Sequence, residues 1–155
     1  MVQTNQTTTQ ANHTYATAGT YQIRISGNGS FFPTMLGQNN AYSRTIISVD
    51  QRGNNQWTNI SQMFRYAKDL NIKAKDEPNL SNVTNMSYMF ADTTNLTGNF
   101  ADWNANNVVN MSYMFYNATN FSRPIGTWNT SKVTDMSYMF NNATAFDQPI
   151  NTWTG

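Results

Sequence analysis

Few side chains in this sequence are suited to acid, base or nucleophilic chemistry. The only histidine is His13 and there is no cysteine. A Ser/His/Asp arrangement would need that histidine beside a poised nucleophile, and no Gly-x-Ser-x-Gly turn is present. The carboxylates are sparse and do not recur at a spacing that would place two of them across a sugar-binding groove. We therefore expect no catalytic residues and no enzymatic activity.

Metal and cofactor sites have equally little support. Asp76 and Glu77 lie side by side, but the alternating aspartates of a calcium-binding loop are missing. Without cysteine, thiolate metal sites are excluded. Neither a phosphate-binding loop nor a dinucleotide-binding fingerprint occurs. The sequence predicts no metal site and no cofactor.

Aromatic residues, by contrast, recur at a constant spacing of 25. Large rings exposed in a row between Asn and Thr residues can bind glycans or anchor a protein partner. The main candidates for such a binding surface are Tyr88, Tyr113 and Tyr138. The secondary candidates are Trp103, Trp128 and Trp153. The alternative for either set is structural, with the rings closing the hydrophobic core of each repeat.

These aromatic residues belong to a repeat. The block Val-Thr-Asn-Met-Ser-Tyr-Met-Phe begins at Val83 and returns with small changes at Val108 and Val133. Further apolar positions follow each block in the same register, and a more divergent copy begins near Ile60. A fixed period of this length is typical of a solenoid, in which stacked copies share one core.

Spacing within the block predicts its local structure. Met86, Met89 and Phe90 stand at i, i+3 and i+4, which predicts one or two helical turns. Pro124 and Gly126 favour a short extended piece or turn, and Val133 begins a predicted short strand. The position just before the first methionine forms a polar ladder, which we interpret as backbone capping. It consists of Asn85, Asn110 and Asp135.

The copies at 108–128 and 133–153 resemble the repeats of the BspA-like leucine-rich-repeat surface proteins, in the subgroup with a 25-residue repeat. Their shared pattern is Val-Thr-Asp-Met-Ser-x-Met-Phe, then Ala, Phe and a Pro-Ile-x-x-Trp ending. The resemblance implies an α/β leucine-rich-repeat-like solenoid of about four units of strand, turn and short helix. It also implies display on a cell surface, with adhesion or host contact as the function.

The first part of the chain has a second resemblance. The segment from His13 to Gly27 is similar to the closing strands of a PKD-type β-sandwich module, and Tyr21, Ile23 and Ile25 alternate with polar residues as in a half-buried strand. Another strand is predicted over residues 46–49, which include two isoleucines and a valine. We therefore expect a polar tail at 1–12, an N-terminal β cap at 13–56 and the solenoid at 57–155.

Composition limits the partners. Charged residues make up 11% of the chain and the formal net charge is +1, so no electrostatic surface for nucleic acid is expected. We interpret the cluster around Arg65 and Lys68 as solvated. No segment is apolar enough to insert into a membrane and the first residues are polar, so we expect neither a transmembrane helix nor a signal peptide. Because the resemblance implies display at a cell surface, we expect an extracellular or cell-surface protein whose export signal is not part of this sequence.

Together these observations predict a non-enzymatic, surface-displayed protein that binds a protein partner. A carbohydrate-binding module is one alternative, and a structural subunit of a surface layer or virion appendage is another. Phe140, Phe146 and Trp153 make the last copy as apolar as the inner ones. We therefore expect that copy to be covered by further repeats, by a second chain or by self-association.

Overall fold

A computed structural model describes residues 16–22, 30–31, 43–50 and 56–154 of the protein. Within these ranges the regular elements are short. They are β1 (Ser30–Phe31), a 3-10 helix (Ser43–Thr45), β2 (Ser48–Val49), β3 (Gln56–Trp57), β4 (Asn71–Ile72) and β5 (Thr97–Gly98). We call residues 57–82 the entry repeat, and the copies that begin at Val83, Val108 and Val133 the first, second and third repeats.

Parallel pairing connects these elements. β1 pairs with β3, and β2, β4 and β5 form a three-stranded sheet in that order. Isolated parallel bridges join Asn85 to Asn110 and Asn110 to Asp135. Since the bridged residues occupy one position of the repeat, the first, second and third repeats lie in register, each beside the next.

The predicted helix at Met86–Phe90 is absent. Alternate backbone amides of this segment donate to carbonyls of the second repeat, not to carbonyls within the segment. The donor and acceptor pairs are Met86 to Asn110, Tyr88 to Ser112, Phe90 to Met114 and Asp92 to Tyr116, at N···O distances of 2.8 to 3.0 Å. An α-helix needs those same amides for carbonyls four residues earlier in sequence.

Backbone dihedrals also exclude the helix. Tyr88 and Asp92 have φ angles of 56° and 62°, in the left-handed region that an α-helix of L-residues does not enter. The amides of Met89 and Ala91 close turns onto Met86 and Tyr88, three residues earlier. Each block is therefore a chain of tight turns.

The predicted α/β leucine-rich-repeat-like solenoid of strand, turn and short-helix units is therefore wrong. The i, i+3, i+4 apolar spacing fits these turns as well as it fits a helix, because both bring residues three apart onto one side. The only helix among the described residues is the 3-10 helix at Ser43–Thr45.

The N-terminal β cap predicted at 13–56 stays a prediction, because much of that range lies outside the described residues. Tyr21 is exposed and lies outside any strand, and the neighbouring strand positions at 23–29 fall outside the described residues. The strand predicted at 46–49 is present only as β2, which pairs with β4. The predicted tail, 1–12, lies wholly outside the described residues.

The core is a set of ladders built from equivalent residues of successive repeats. Phe64, Phe90, Phe115 and Phe140 stack in sequence, with ring centroids 5.7 to 5.8 Å apart. Phe115 is completely buried and also stacks on Phe121 at 4.0 Å. Each repeat is too thin to bury these rings alone, so the core exists only between repeats.

Two glycines stand where neighbouring backbones approach closely. Gly98 in β5 has a φ of 125°, and a methyl group added there would collide with the backbone carbonyl of Ile72 in β4. A methyl group on Gly126 would collide with the carbonyl of Pro149 in the third repeat. Glycine is therefore required at both positions by the spacing of the repeats.

Burial along the phenylalanine ladder predicts unequal effects of truncation. Phe115→Ala should lower the free energy of unfolding by about 3 to 5 kcal/mol, because it removes a fully buried ring between two neighbours. Phe140→Ala is the matched control, since Phe140 occupies the same ladder but is only half-buried, and it should cost less. Urea denaturation followed by tryptophan fluorescence measures both. Equal and small losses would contradict the shared core.

Candidate binding surface

Three tyrosines form a column on the side of the blocks away from the core. Tyr88 stacks on Tyr113 with ring centroids 4.5 Å apart and planes 6° apart. Tyr113 stacks on Tyr138 at 4.9 Å and 18°. We call Tyr88, Tyr113 and Tyr138 the tyrosine column. The structure thus brings together the main candidates named from the sequence.

Stacking determines which parts of these rings a partner can reach. Tyr88 and Tyr113 are half-buried, whereas Tyr138 is 59% exposed. The faces between neighbouring rings cover one another, so the column offers ring edges and hydroxyl groups along its length. Tyr138 stands at one end of the column, and no tyrosine of the column covers its outer ring face.

A guanidinium group covers the other end. The Arg65 guanidinium carbon lies 4.7 Å from the ring centroid of Tyr88 and 4.7 Å from that of Tyr66. Arg65 Nε also lies 3.6 Å from an Asp92 carboxylate oxygen. Its half-buried position between two rings makes it part of the site, which corrects our interpretation of this arginine as solvated. Such cation–π contacts contribute about 0.5 to 1 kcal/mol each at exposed sites.

A row of amide side chains runs beside the column. Asn117 Nδ2 donates to Asp92 Oδ1 at 3.0 Å, and Asn142 Nδ2 donates to Asn117 Oδ1 at 2.6 Å. We call Asp92, Asn117 and Asn142 the amide ladder. Its members lie four residues after the tyrosines of the column in each block. We call the ladder and the column together the strip, and Arg65 contacts both, at Tyr88 and at Asp92.

The tyrosine column and the amide ladder share a left-handed backbone conformation. Their residue types differ in how readily they adopt it. All three tyrosines have a φ of 56°, and the ladder residues have φ angles of 56° to 62°. Asn and Asp adopt this left-handed conformation readily, whereas bulky side chains do so at a cost of about 1 to 3 kcal/mol. Tyrosine therefore occupies three positions where asparagine would be easier to accommodate.

The environment of Tyr113 suppresses its ionisation. Burial among the surrounding rings raises the pKa of Tyr113 above 10.0, and the phenolate charges of Tyr88 and Tyr138 raise it further. Tyr116 lies near as well, with its ring centroid 5.6 Å from that of Tyr113. Tyr113 is therefore neutral at physiological pH and keeps its hydroxyl proton as a hydrogen-bond donor.

The capping interpretation agrees with the hydrogen bonds found. Asn85, Asn110 and Asp135 each accept a bond from the backbone amide two residues later, at 2.8 to 2.9 Å. The amide of Ser137 is the main cause of a lowered pKa of Asp135, helped by the hydroxyl of Ser137. These side chains fix the turn that leads into each tyrosine.

The secondary candidates lie in the core. Trp103 and Trp128 are buried, and Trp128 Nε1 donates to the carbonyl of Phe100 at 2.7 Å. Trp153 is half-buried and its Nε1 donates to the carbonyl of Ile125 at 3.2 Å. The tryptophan ladder therefore closes the core, and the tyrosine column is the stronger candidate for binding.

Sequence reasoning missed Arg65 and the amide ladder as parts of this site. The ladder has a signal, because Asp92, Asn117 and Asn142 recur at the spacing of 25. Arg65 has none, since its contacts with Tyr66 and Tyr88 depend on how the entry repeat stacks.

Among the residues that the structure describes, no three His, Cys, Asp or Glu side chains are grouped to hold a metal ion. The same part of the chain contains no helix of the length and apolarity needed to cross a membrane.

Acid should weaken the third repeat through Asp135. Its pKa is lowered in the folded chain, so its contribution to stability is present above its usual value of 3.8 and is lost as the pH falls through the folded value. Asp135→Asn keeps the accepting oxygen, as Asn85 and Asn110 show, without the titration. The variant should lose less stability than the unchanged protein between about pH 4 and pH 2. Asp147→Asn, at an exposed carboxylate of the same repeat, is the control, and an equal gain in acid stability in this variant would contradict the assignment.

High pH should destabilise the tyrosine column through ionisation of Tyr113. The raised pKa means that folding favours the neutral phenol, so this stability is present below pH 10 and is lost as the pH rises through the folded value. NMR of the tyrosine Cζ carbons should show Tyr113 titrating above 10. Tyr88→Phe should bring that pKa closer to 10, because it removes a neighbouring phenolate. A Tyr113 that titrates at or below 10 would contradict the stacked arrangement.

Comparison with known proteins gives a family without a stated function. No curated protein and no solved structure matches the chain. One family does match, over residues 58–155, and it is described as Mycoplasma protein of unknown function, DUF285. That description gives neither fold nor activity, so the resemblance to BspA-like proteins stays a prediction. Since the match covers more than half of the sequence, the chain belongs to the DUF285 family.

Proposed function

We propose that this protein is a non-enzymatic, surface-displayed repeat module that binds a protein partner through the tyrosine column and the amide ladder. The observation that supports it best is the presence of tyrosine at three outward positions with left-handed backbone. Asparagine would fit that backbone at lower cost, as it does four residues later at Asn117 and Asn142. The rings stand at these positions despite the backbone strain, which favours a role in recognition.

The chemistry of the strip suits a protein partner. Tyrosine combines a large rigid ring with a hydroxyl group, and it is enriched among the residues that dominate binding energy at protein interfaces. The column holds its rings in place by stacking, so little side-chain entropy is lost when a partner binds. Asn117 and Asn142 beside it supply amide donors and acceptors for a polar rim.

A glycan partner is less well supported. Sugars pack on ring faces, and the faces between Tyr88, Tyr113 and Tyr138 are covered by the neighbouring rings. Of the three, Tyr138 alone is largely exposed. A protein surface can instead use the ring edges and hydroxyl groups along the whole column. Display at the cell surface rests on the resemblance of the repeats to surface proteins.

Asparagine variants test the proposal without disturbing the backbone. Tyr88→Asn, Tyr113→Asn and Tyr138→Asn combined should stay folded, because asparagine relieves the strain at φ 56° and thereby offsets the lost ring stacking. Binding of the labelled protein to cultured epithelial cells should fall about tenfold or more, the effect of losing about 1.4 kcal/mol or more at an interface. Flow cytometry measures the binding, and thermal unfolding checks the fold.

A control variant and two enzymatic treatments of the cells identify the kind of partner. Arg123→Gln changes an exposed side chain in another part of the second repeat and should bind as the unchanged protein does. Trypsin treatment of the cells should abolish binding, whereas glycosidase treatment should leave it. Failure of the unchanged protein to bind intact cells, or full binding by the folded triple variant, would overturn the proposal. Loss of binding after glycosidase alone would replace the protein partner with a glycan.

A further inference from the structure

The tyrosine column also places phenol groups of different repeats in position to react with one another. Tyr88 and Tyr113 have parallel rings at 4.5 Å, and the same φ of 56° directs both side chains alike. Their hydroxyl groups are close enough for Tyr88 to raise the pKa of Tyr113. The two phenol rings are therefore nearly parallel neighbours from different repeats.

We propose that the tyrosine column is a site of oxidative cross-linking, where a peroxidase-type one-electron oxidant and hydrogen peroxide join Tyr113 to a stacked neighbour as dityrosine. Each phenol loses one electron and one proton, which gives two tyrosyl radicals. Their ortho carbons form a carbon–carbon bond, and each ring then regains aromaticity as its ortho hydrogen moves to the phenol oxygen. Hydrogen peroxide takes up the two electrons and two protons and becomes two molecules of water.

Positioning makes this reaction favourable within the column. Reactive groups held in contact behave as if present at very high concentration, so coupling inside the stack outcompetes coupling between molecules. Tyr113 lies between both neighbours and takes part in either possible pair. Tyr138, at 59% exposure, gives the oxidant direct access to the column.

Among the described residues, the sulfur-containing side chains compete weakly for the oxidant. The chain has no cysteine, which removes the most readily oxidised side chain. Methionine is abundant, but Met86, Met89, Met111, Met114 and Met139 are buried in the core. Among the described methionines, Met136 is half-buried and is the one more open to oxidation to the sulfoxide.

The product would act as a staple between repeats. A bond from Tyr113 to Tyr88 or Tyr138 links positions 25 residues apart. Closing such a loop restricts the unfolded chain as a disulfide does and should raise the melting temperature by about 5 to 15 °C. A protein without cysteine would thereby gain a covalent cross-link that needs no thiol.

The experiment uses the full chain, at high dilution, with a haem peroxidase and hydrogen peroxide. We expect dityrosine fluorescence in a product that remains monomeric on a denaturing gel and has lost two hydrogen atoms in mass. Peptide mapping should find Tyr113 linked to Tyr88 or Tyr138. The raised melting temperature is measured on the same product.

Two phenylalanine variants make the test specific. Tyr113→Phe keeps a stacked ring but removes the phenol, and intramolecular dityrosine should fall to about a tenth or less. Tyr116→Phe removes the phenol beside the column, 5.6 Å from Tyr113, and should leave the yield unchanged. The unchanged protein unfolded in urea should also lose the intramolecular product, which shows that the fold is required.

Full intramolecular yield in the Tyr113→Phe variant would overturn the proposal, and so would dityrosine found only between chains. The outcome is independent of cell binding, because it needs only the stacked phenols and the oxidant. A protein that fails to bind cells can still form the cross-link.

Discussion

Backbone hydrogen bonding between successive repeats is the constraint on which the rest of the structure depends. In the blocks of the first and second repeats, alternate amides donate to carbonyls of the following repeat, as Tyr88 does to Ser112 at 3.0 Å and Tyr113 does to Ser137 at 2.9 Å. Each bond contributes about 1 kcal/mol net, and an unpaired buried amide would cost more. The bonds repeat from copy to copy, so the stack is held by many small and similar contributions.

This bonding sets the distance at which equivalent side chains meet. Backbones paired in this way lie close to the spacing of neighbouring β-strands, about 4.8 Å. Equivalent rings then meet at 4.5 to 4.9 Å in the tyrosine column and 5.7 to 5.8 Å in the phenylalanine ladder, within the range favourable for aromatic pairs. The same geometry produces both the phenylalanine ladder of the core and the tyrosine column outside it. Core stability and the proposed binding surface therefore come from one backbone arrangement.

The sequence was a good guide to which residues are equivalent and a poor guide to backbone conformation. The spacing of 25 correctly placed Phe90 and Phe115 in one ladder and Tyr88 and Tyr113 in another, because the period fixes the contacts whatever the local structure is. The predicted helix was wrong, since apolar residues three apart face the same way in consecutive turns too. The sequence of the block does not indicate a left-handed backbone at tyrosine, because tyrosine rarely adopts that conformation. The contacts of the entry repeat could be predicted least, because the placement of Arg65 over Tyr88 depends on stacking between unlike repeats.

Scalar couplings across hydrogen bonds, measured by NMR on the isotopically labelled protein, test the joining of the repeats most directly. We expect a coupling between the amide nitrogen of Tyr88 and the carbonyl carbon of Ser112, and another between Tyr113 and Ser137. A coupling from the Tyr88 amide to the carbonyl of Thr84, four residues earlier, would instead show a helix. That result would contradict the joined repeats and, with them, the tyrosine column.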